Sequence, residues 1–547
     1  MTPEPVPGHA PKFLLGRPFL LALLFIGLVL RVLQYAADTS LWFDEFSIAR
    51  NIVHRSTSQL VFEPLGYDQV APVGFMLVEK LISLSIGTSD LALRLLPFLC
   101  GLVALPLFLL LAERVLDGYA VPFAVAAFAI GVPFIRYTTE LKQYGLDMAA
   151  ALALSLIALR LRDPDSTSTR CVLAGLAGAV MVWFSQTAVF VMAGIGAALV
   201  VDWLFESTRK AQTRRAVFTT VPIWVLASGV ATIVSMRLMT PETKKFMHEF
   251  WAGKPRNGFF PWPLKEPSDA LWLWNQVTDL FGDQVLRYRW QELYSVLAIA
   301  GLVALWRRRR FAALLLFGPF AVTVLAAVAR QYPFRTRVVL FLLPALVLLV
   351  AQGAEWIRLI AGKFHPAVGG AAMAALFISP VLTIVETPLP YFTEDYKSVL
   401  SFVQANRRAG DAMYVFVYAY EPLERYGERY GIGRGDYTLG GCWRDDIRSY
   451  LRDVDRYRGM PRVWLITSGV PQFYAPGQSI RSYFAAIGTL KGSKSVPSRT
   501  KRFAPVSADL YDLSDPTRLS AASASSFPVK PLGDRQPFCL DFVTPDR

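Results

Sequence analysis

Long apolar stretches separated by short basic connections recur through the first 388 residues of this chain. Runs at about 18–35, 95–112, 120–137, 146–160, 171–184, 187–204, 216–235, 291–306, 311–329, 338–353 and 367–385 predict about eleven transmembrane helices, since about 20 apolar residues cross the hydrocarbon core. Residues 74–87 are a further candidate, but the run is short and carries Glu79 and Lys80 at its centre. Each such charge costs roughly 2.5 to 3.5 kcal/mol in a bilayer, so a juxtamembrane or re-entrant helix is the expectation there. The first run has the outline of a signal peptide, with Lys12 and Arg17 before it and Ala36-Ala37 after it. Arg31 near its far end and the lack of a small-x-small cleavage site predict a retained helix instead.

After Glu386 the pattern becomes that of a soluble fold. Residues 394–408 read as an amphipathic helix, 412–420 as an aromatic and β-branched strand, 449–457 as a helix, 462–467 as a strand and 479–487 as a helix. The alternation predicts a small α/β domain of about 160 residues. The chain therefore divides into a membrane module, 1–388, and a carboxyl-terminal domain, 389–547. The serine- and alanine-rich stretch at 520–526 reads as a connector, and no short internal repeat is present.

Loop charges orient this arrangement. If residues 74–87 do not span, then Lys12/Arg17, Arg114, Arg160/Arg162/Arg170, Arg209/Lys210/Arg214/Arg215, Arg307–Arg310 and Arg358/Lys363 all fall on one side. The positive-inside rule makes that side cytoplasmic, with a cytoplasmic amino terminus and an exterior carboxyl-terminal domain. The longer, mixed loops then face outward, and Asp44/Glu45, Glu140/Lys142/Tyr144 and Arg330/Arg335/Arg337 emerge together. Three charged clusters from distant parts of the chain can converge on one exterior site.

Composition excludes some function classes. With 54% hydrophobic and 18% charged residues and a mean hydropathy of +0.38, this is not a soluble enzyme. The formal charge of +14 does not imply nucleic acid, because its densest run, Arg307–Arg310, abuts apolar segments and reads as a cytoplasmic anchor.

Asp44 and Glu45, in Ser40-Leu-Trp-Phe-Asp44-Glu45-Phe46, follow the first apolar run. A carboxylate at a membrane boundary acts as a general base when a substrate hydroxyl or amine reaches it. Adjacent residues on a helix point about 100° apart, so one would do chemistry and the other orient; a solvated acidic pair at a helix start capped by Ser40 is the structural alternative. Lys142 suits a phosphate, with Glu140 positioning it, or snorkels with Tyr144 at the headgroups. Arg335 and Arg337, beside Arg330, break the positive-inside pattern and call for an anion, either a lipid-linked phosphate or generic headgroups. The four histidines, His9, His54, His248 and His365, show no metal-ligand spacing, so no metal is assigned; Asp44 and Glu45 could bind a divalent cation, but nothing in the spacing supports one. Cys442 and Cys539 fall in the exterior domain, where an oxidising compartment permits a disulfide.

Leu41-Trp-Phe-Asp44-Glu45, Gln69-Val-Ala71-Pro72-Val-Gly-Phe75, Ser89-Asp-Leu-Ala-Leu-Arg94-Leu-Leu-Pro97 and Tyr137-Thr-Thr-Glu140-Leu-Lys142-Gln-Tyr144-Gly-Leu-Asp147 together resemble the amino-terminal membrane core of GT-C fold glycosyltransferases. The relatives are the protein O-mannosyltransferases and the lipid A aminoarabinose transferases. The resemblance is strongest over the first ~150 residues. It implies transfer of a sugar from a polyprenyl-phosphate donor at the outer face of the bacterial inner membrane, with inversion at the anomeric carbon. Asp44 maps onto the proposed base, with Glu45 beside it, and Lys142, Glu140, Tyr144, Arg335, Arg337 and Arg94 onto donor-phosphate or substrate contacts. No cofactor is implied; the partners are the donor, membrane lipids and an acceptor that is lipid A, a cell-envelope glycan or a protein. Val70-Ala71-Pro72 stands where the mannosyltransferases have His-Pro-Pro, and Ala71-Pro72 where the aminoarabinose transferases have Lys-Pro, so neither substrate transfers with the motif. A transporter of lipid-linked saccharide and a non-catalytic scaffold are the competing classes; transport sites lie nearer the midplane, whereas these charges sit at helix ends.

Overall fold

The computed structural model describes residues 16–205, 210–253, 256–282, 285–441, 443, 446–468, 474–499, 505–520 and 522–529. Cys442 and Cys539, His9, Lys12 and Arg209 lie outside them. The chain forms two compact units: residues up to Ala37 together with Ala49–Leu389, and Asp38–Ile48 together with residues from Pro390 onward. The short acidic segment thus packs with residues some 350 positions later in the sequence, an assignment that the run of apolar stretches did not foretell.

The first unit is helical, and every predicted apolar run forms a helix. Among the described residues eight are long and apolar enough to cross a membrane: Arg17–Ala36, Leu95–Val115, Tyr144–Leu161, Ala188–Phe205, Lys210–Arg237, Arg310–Val328, Thr336–Ala361 and Pro366–Glu386. The protein is an integral membrane protein. Ala120–Ile130 and Ser168–Met181 are apolar but shorter, and Gln291–Arg308 carries Glu292, Arg307 and Arg308 at its ends. The 120–137 run is cut because Pro133 cannot donate to the preceding turn; a new short helix, Val132–Arg136, begins there.

That break explains Arg31. The carbonyls of the last turn before Gly131 have no intrahelical donor, and the fully buried Arg31 guanidinium donates to the carbonyls of Ala129 (3.1 Å), Phe128 (3.4 Å) and Gly27 (2.9 Å). Arg31→Met should therefore leave buried carbonyls unpaired at a cost of about 1 to 3 kcal/mol each. A lower midpoint of thermal unfolding for the detergent-solubilised variant checks this, and an unchanged midpoint would refute it. Small residues bring other helices together: a Cβ on Gly301 would run into the Leu349 carbonyl oxygen, and one on Gly353 into that of Leu297.

Direct contacts sort the loops into two ends. Arg309 donates to the Arg114 carbonyl and pairs with Asp117, Arg215 reaches Ser166, Arg162 forks onto Asp202, and Arg358 lies over the Tyr119 ring. The basic loops therefore share one end of the helical unit. At the far end of the same helices lie Tyr144, Arg335 and Arg337. Residues Val73–Ser85 form a helix of 13 residues that is not among the spans. Its Lys80 ammonium donates to the carbonyls of Ile52 (2.8 Å) and Val53 (3.2 Å), closing the end of the helix Phe43–His54. Burial pushes the neighbouring Glu79 carboxyl well above the usual carboxylate range.

The second unit is built on a five-stranded sheet of β1 (Ala412–Val415), β2 (Thr438–Leu439), β3 (Val463–Thr467), β4 (Thr489–Val496) and β5 (Val506–Asp512), ordered β2-β1-β3-β5-β4. β1 is parallel to both β2 and β3, and β5 is antiparallel to β3 and β4. Helices Tyr396–Asn406, Ile447–Asp455 and Tyr474–Ile487 match the predicted ones within a few residues. The predicted 412–420 strand stops at Val415 and turns into the helix Tyr420–Tyr426. Its aromatic residues favour a strand, but Pro422 suits the first turn of a helix, where its missing N–H is not needed. β4 escaped prediction because it is a largely exposed edge strand with Lys491 and Lys494 and no apolar alternation.

Candidate functional site

The turn between Val132–Arg136 and Tyr144–Leu161 is where the first unit concentrates its polar chemistry. Tyr137 to Lys142 are all buried. Thr138 donates to the Phe134 carbonyl at 2.7 Å and Thr139 to that of Arg136 at 2.9 Å, which supplies donors to carbonyls at the end of the helix Val132–Arg136. Gly101 lets the helix Leu95–Val115 press on this turn, for a Cβ there would collide with Thr138.

Within the turn Glu140 accepts from Arg136 Nε at 2.7 Å, with both side chains largely buried. Lys142 is 5% exposed, and its ammonium donates to Gln69 Oε1 at 2.7 Å. Gln69 is held in turn by its own amide donating to the Tyr67 carbonyl. Tyr67 and Asp68 take left-handed φ values of 62° and 50°, a turn braced by Asn51, which bonds Gly66 through both its amide nitrogen and its oxygen. Asp68 also accepts from Thr243 at 3.1 Å. The Gln69 motif and the Lys142 motif, 73 residues apart, thus meet through one hydrogen bond.

Tyr144 begins its helix beside Tyr137, edge to face at 5.5 Å, and its hydroxyl accepts from Arg337 Nε at 2.9 Å. The fold brings together two of the sequence-predicted positions here, 193 residues apart. Arg335 is buried differently. It pairs with Asp279 and donates to Gln276 Oε1 at 3.1 Å, so its charge is met by protein groups. Arg94 is 5% exposed at the joint between the helices Asp90–Leu93 and Leu95–Val115. Asp147, one turn into its helix, accepts from Ser185 at 2.6 Å. Burial pushes the Tyr332 hydroxyl well above its ordinary pKa, with the charges of Asp147 and Tyr144 adding to it. It therefore stays a donor, here to the Val338 carbonyl at 2.7 Å.

Asp44 and Glu45 belong to the second unit. They occupy the first turn of the helix Phe43–His54. Glu45 is fully buried and its Oε2 accepts from the Trp42 backbone N–H at 3.3 Å, the reach-back half of a capping box. Asp44 is half-buried. The two carboxylates thus differ in setting: one closes its own helix start, and the other is the more accessible. The Ser40 hydroxyl accepts from the Lys397 N–H at 3.0 Å.

Sequence reasoning missed Arg136 and Gln69 as members of the first cluster, and Asp279 as the partner of Arg335. Arg136 was detectable from its i,i+4 spacing to Glu140; Gln69 stood inside a quoted motif; Asp279, in a helix of mixed character, gave no signal. His248 stacks on Phe259 at 5.2 Å. Among the described residues no three His, Cys, Asp or Glu side chains are grouped to hold a metal ion.

With this geometry in place, solved structures can be set beside it. Glycosyltransferases of the GT-C fold are similar to it. The oligosaccharyltransferase AglB of Archaeoglobus fulgidus, solved with an inhibitory peptide and a dolichol-phosphate, matches at 12% identity and a TM-score of 0.45 over 89% of this chain and 74% of its own. ArnT from Cupriavidus metallidurans bound to undecaprenyl phosphate matches at 12% and 0.45 over 90% and 98%. The arabinofuranosyltransferase AftD from Mycobacteria matches at 14% and 0.37 over 91% and 40%. These are distant likenesses. No family model and no curated protein matches the sequence.

Proposed function

We propose that this protein is a membrane glycosyltransferase that moves a sugar from a polyprenyl-phosphate donor to an acceptor on the outer face of the membrane. The observation that carries the reading is the buried turn 136–144. It places Arg136, Glu140, Lys142 and Tyr144 in the interior of a membrane protein, where ionisable groups are costly and mark function by default. The motif resemblance described above adds which function. In this reading Lys142 faces the donor phosphate, with Arg136 and Arg337 lending further positive charge, while Gln69 holds the ammonium and Glu140 the backbone of the turn. Arg335, already paired with Asp279, has the weaker claim on the phosphate and shapes the loop instead. Arg94 stays among the residues proposed to line the substrate.

The reaction needs two things. The acceptor oxygen attacks the anomeric carbon and loses its proton to Asp44, while the bond from that carbon to the phosphate oxygen breaks and leaves the polyprenyl phosphate with an added negative charge. A single such displacement inverts the anomeric centre. Fixed positive charge in a low-dielectric setting stabilises the departing phosphate, and the same setting keeps water from the activated sugar. Glu45, engaged with the Trp42 N–H, orients the loop.

Purified protein incubated with a panel of polyprenyl-phosphate sugars should release free polyprenyl phosphate from one of them in the presence of an acceptor. Translocation of the intact donor across vesicles without its cleavage would establish a transporter instead. The proposed topology has its own check. Single cysteines at the exposed positions 308, 330 and 406, in a background lacking the four native ones, should label from the inner side at 308 and from the outer side at 330 and 406. Labelling of 308 and 330 from one side would overturn the orientation.

A further inference from the structure

The segment Asp38–Ile48 is tied to the carboxyl-terminal unit along nearly its whole length. Lys397 donates to the Asp38 carbonyl at 2.6 Å and pairs with the Asp38 carboxylate at 2.9 Å. The Lys397 N–H meets Ser40 Oγ, and the Leu41 N–H donates to the Tyr426 hydroxyl at 2.9 Å. The Phe43 N–H donates to Glu394 Oε2 at 2.8 Å, across 351 residues of sequence. The Phe46 ring stands edge-on to Tyr396 at 6.1 Å and to Tyr426 at 5.8 Å.

Glu394 is the centre of this arrangement. It is 1% exposed, and its second oxygen accepts from the Tyr396 hydroxyl at 2.9 Å and from Ser468 at 3.4 Å. Ser468 directly follows β3, so the carboxylate links the end of a central strand to the first N–H of the helix that carries Asp44. A helix start offers unsatisfied N–H groups and a positive dipole end, and a buried carboxylate from outside the helix answers both. Burial, and then the Glu394 charge, hold the Tyr396 hydroxyl well above its ordinary pKa, so it remains a donor to Glu394. Glu45 closes the Trp42 N–H and Glu394 the Phe43 N–H; between them the two carboxylates fix the backbone on which Asp44 sits.

We infer that the carboxyl-terminal unit is a clamp on the acidic loop, and that Glu394 is a positioning residue that sets the place of Asp44. This rests on the reading of Asp44 as general base. A displacement of about 1 Å at a reacting group can cost as much as 10²-fold in rate, so a unit with no reacting group of its own can still control turnover. The proposed donor contacts belong to the membrane unit, so the effect should fall on kcat.

The experiment combines two readouts on Glu394→Ala, Glu394→Gln and Tyr426→Phe. Hydrogen exchange of the backbone at 41–46 should speed up at least 10-fold in Glu394→Ala and less in Tyr426→Phe, which loses only the acceptor hydroxyl while keeping the ring against Phe46. With the donor that the panel identifies, kcat should fall roughly 10- to 100-fold in Glu394→Ala with KM little changed. Glu394→Gln, which retains an acceptor for the Phe43 N–H, should recover most of both. If Glu394→Ala does not fold, Tyr426→Phe decides the matter alone, with a smaller change of the same kind. Unchanged exchange at 41–46 in the folded variants overturns the clamp. Faster exchange with unchanged kcat, where Asp44→Asn is dead, overturns the positioning role. Should Asp44→Asn itself stay active, the general-base reading has failed, and the exchange data still decide for or against the clamp.

Discussion

Replacing Asp44 by Asn should lower turnover by roughly 10²-fold or more while donor binding survives, because the amide keeps the shape of the side chain and removes the proposed proton acceptor. The setting of the loop sharpens this expectation. Glu45 is fully buried and spends an oxygen on the Trp42 N–H, whereas Asp44 is half-buried on the same helical turn. Glu45→Gln retains an acceptor for that N–H and should show an intermediate loss. The measurement is single-turnover sugar transfer with saturating donor, alongside equilibrium binding of the polyprenyl phosphate. A well-folded Asp44→Asn protein with normal turnover beside a dead Glu45→Gln would exchange the two roles; activity in both would remove this loop from the chemistry.

Lys142→Ala should fail differently, weakening donor binding and also slowing the chemical step. A positive charge directed at the departing phosphate acts in the ground state and more strongly in the transition state, and loss of one such electrostatic group typically costs about 10² to 10³ in kcat. Its neighbours make the Lys142 position a fixed one. The ammonium is held by Gln69 at 2.7 Å, and the backbone N–H by the Glu140 carbonyl at 2.7 Å. Lys142→Arg keeps the charge but not the compact geometry and should restore binding better than turnover. Gln69→Ala should reproduce a mild version of Lys142→Ala, since it frees the ammonium without removing it. Equal losses of kcat and unchanged polyprenyl phosphate binding in Lys142→Ala would count against phosphate contact and in favour of a structural role for the turn.

Apolar runs near 20 residues located the long helices of the first unit, with ends displaced by up to eight residues, because a bilayer demands length and hydrophobicity together. The same reading missed the cut at Pro133, and with it the reason for a buried Arg31, since a donor 98 residues away answers the freed carbonyl. In the carboxyl-terminal unit the buried strand Val463–Thr467 was legible from its β-branched and aromatic run, while the polar edge strand Thr489–Val496 was not. Lys142, Glu140 and Tyr144 were visible as a motif, yet Asp279 as the partner of Arg335, and Gln69 as the partner of Lys142, were not. Such pairings depend on which loops the helix packing brings side by side.

The sequence by itself determined that the chain is a polytopic helical membrane protein with a carboxyl-terminal α/β fold, and which residue types cluster at the helix ends. These follow from hydrophobic period and charge placement, which are properties of neighbours along the chain. Only the tertiary structure decided that Arg337 meets Tyr144, that Glu45 caps while Asp44 stands more open, and that Asp38–Ile48 packs with residues beyond Pro390. The first and last of these are contacts across 193 and, at Asp38, 359 residues. A backbone N–H or a guanidinium takes whatever acceptor the packed chain delivers within about 3 Å, and nothing in the local pattern names an acceptor so far away.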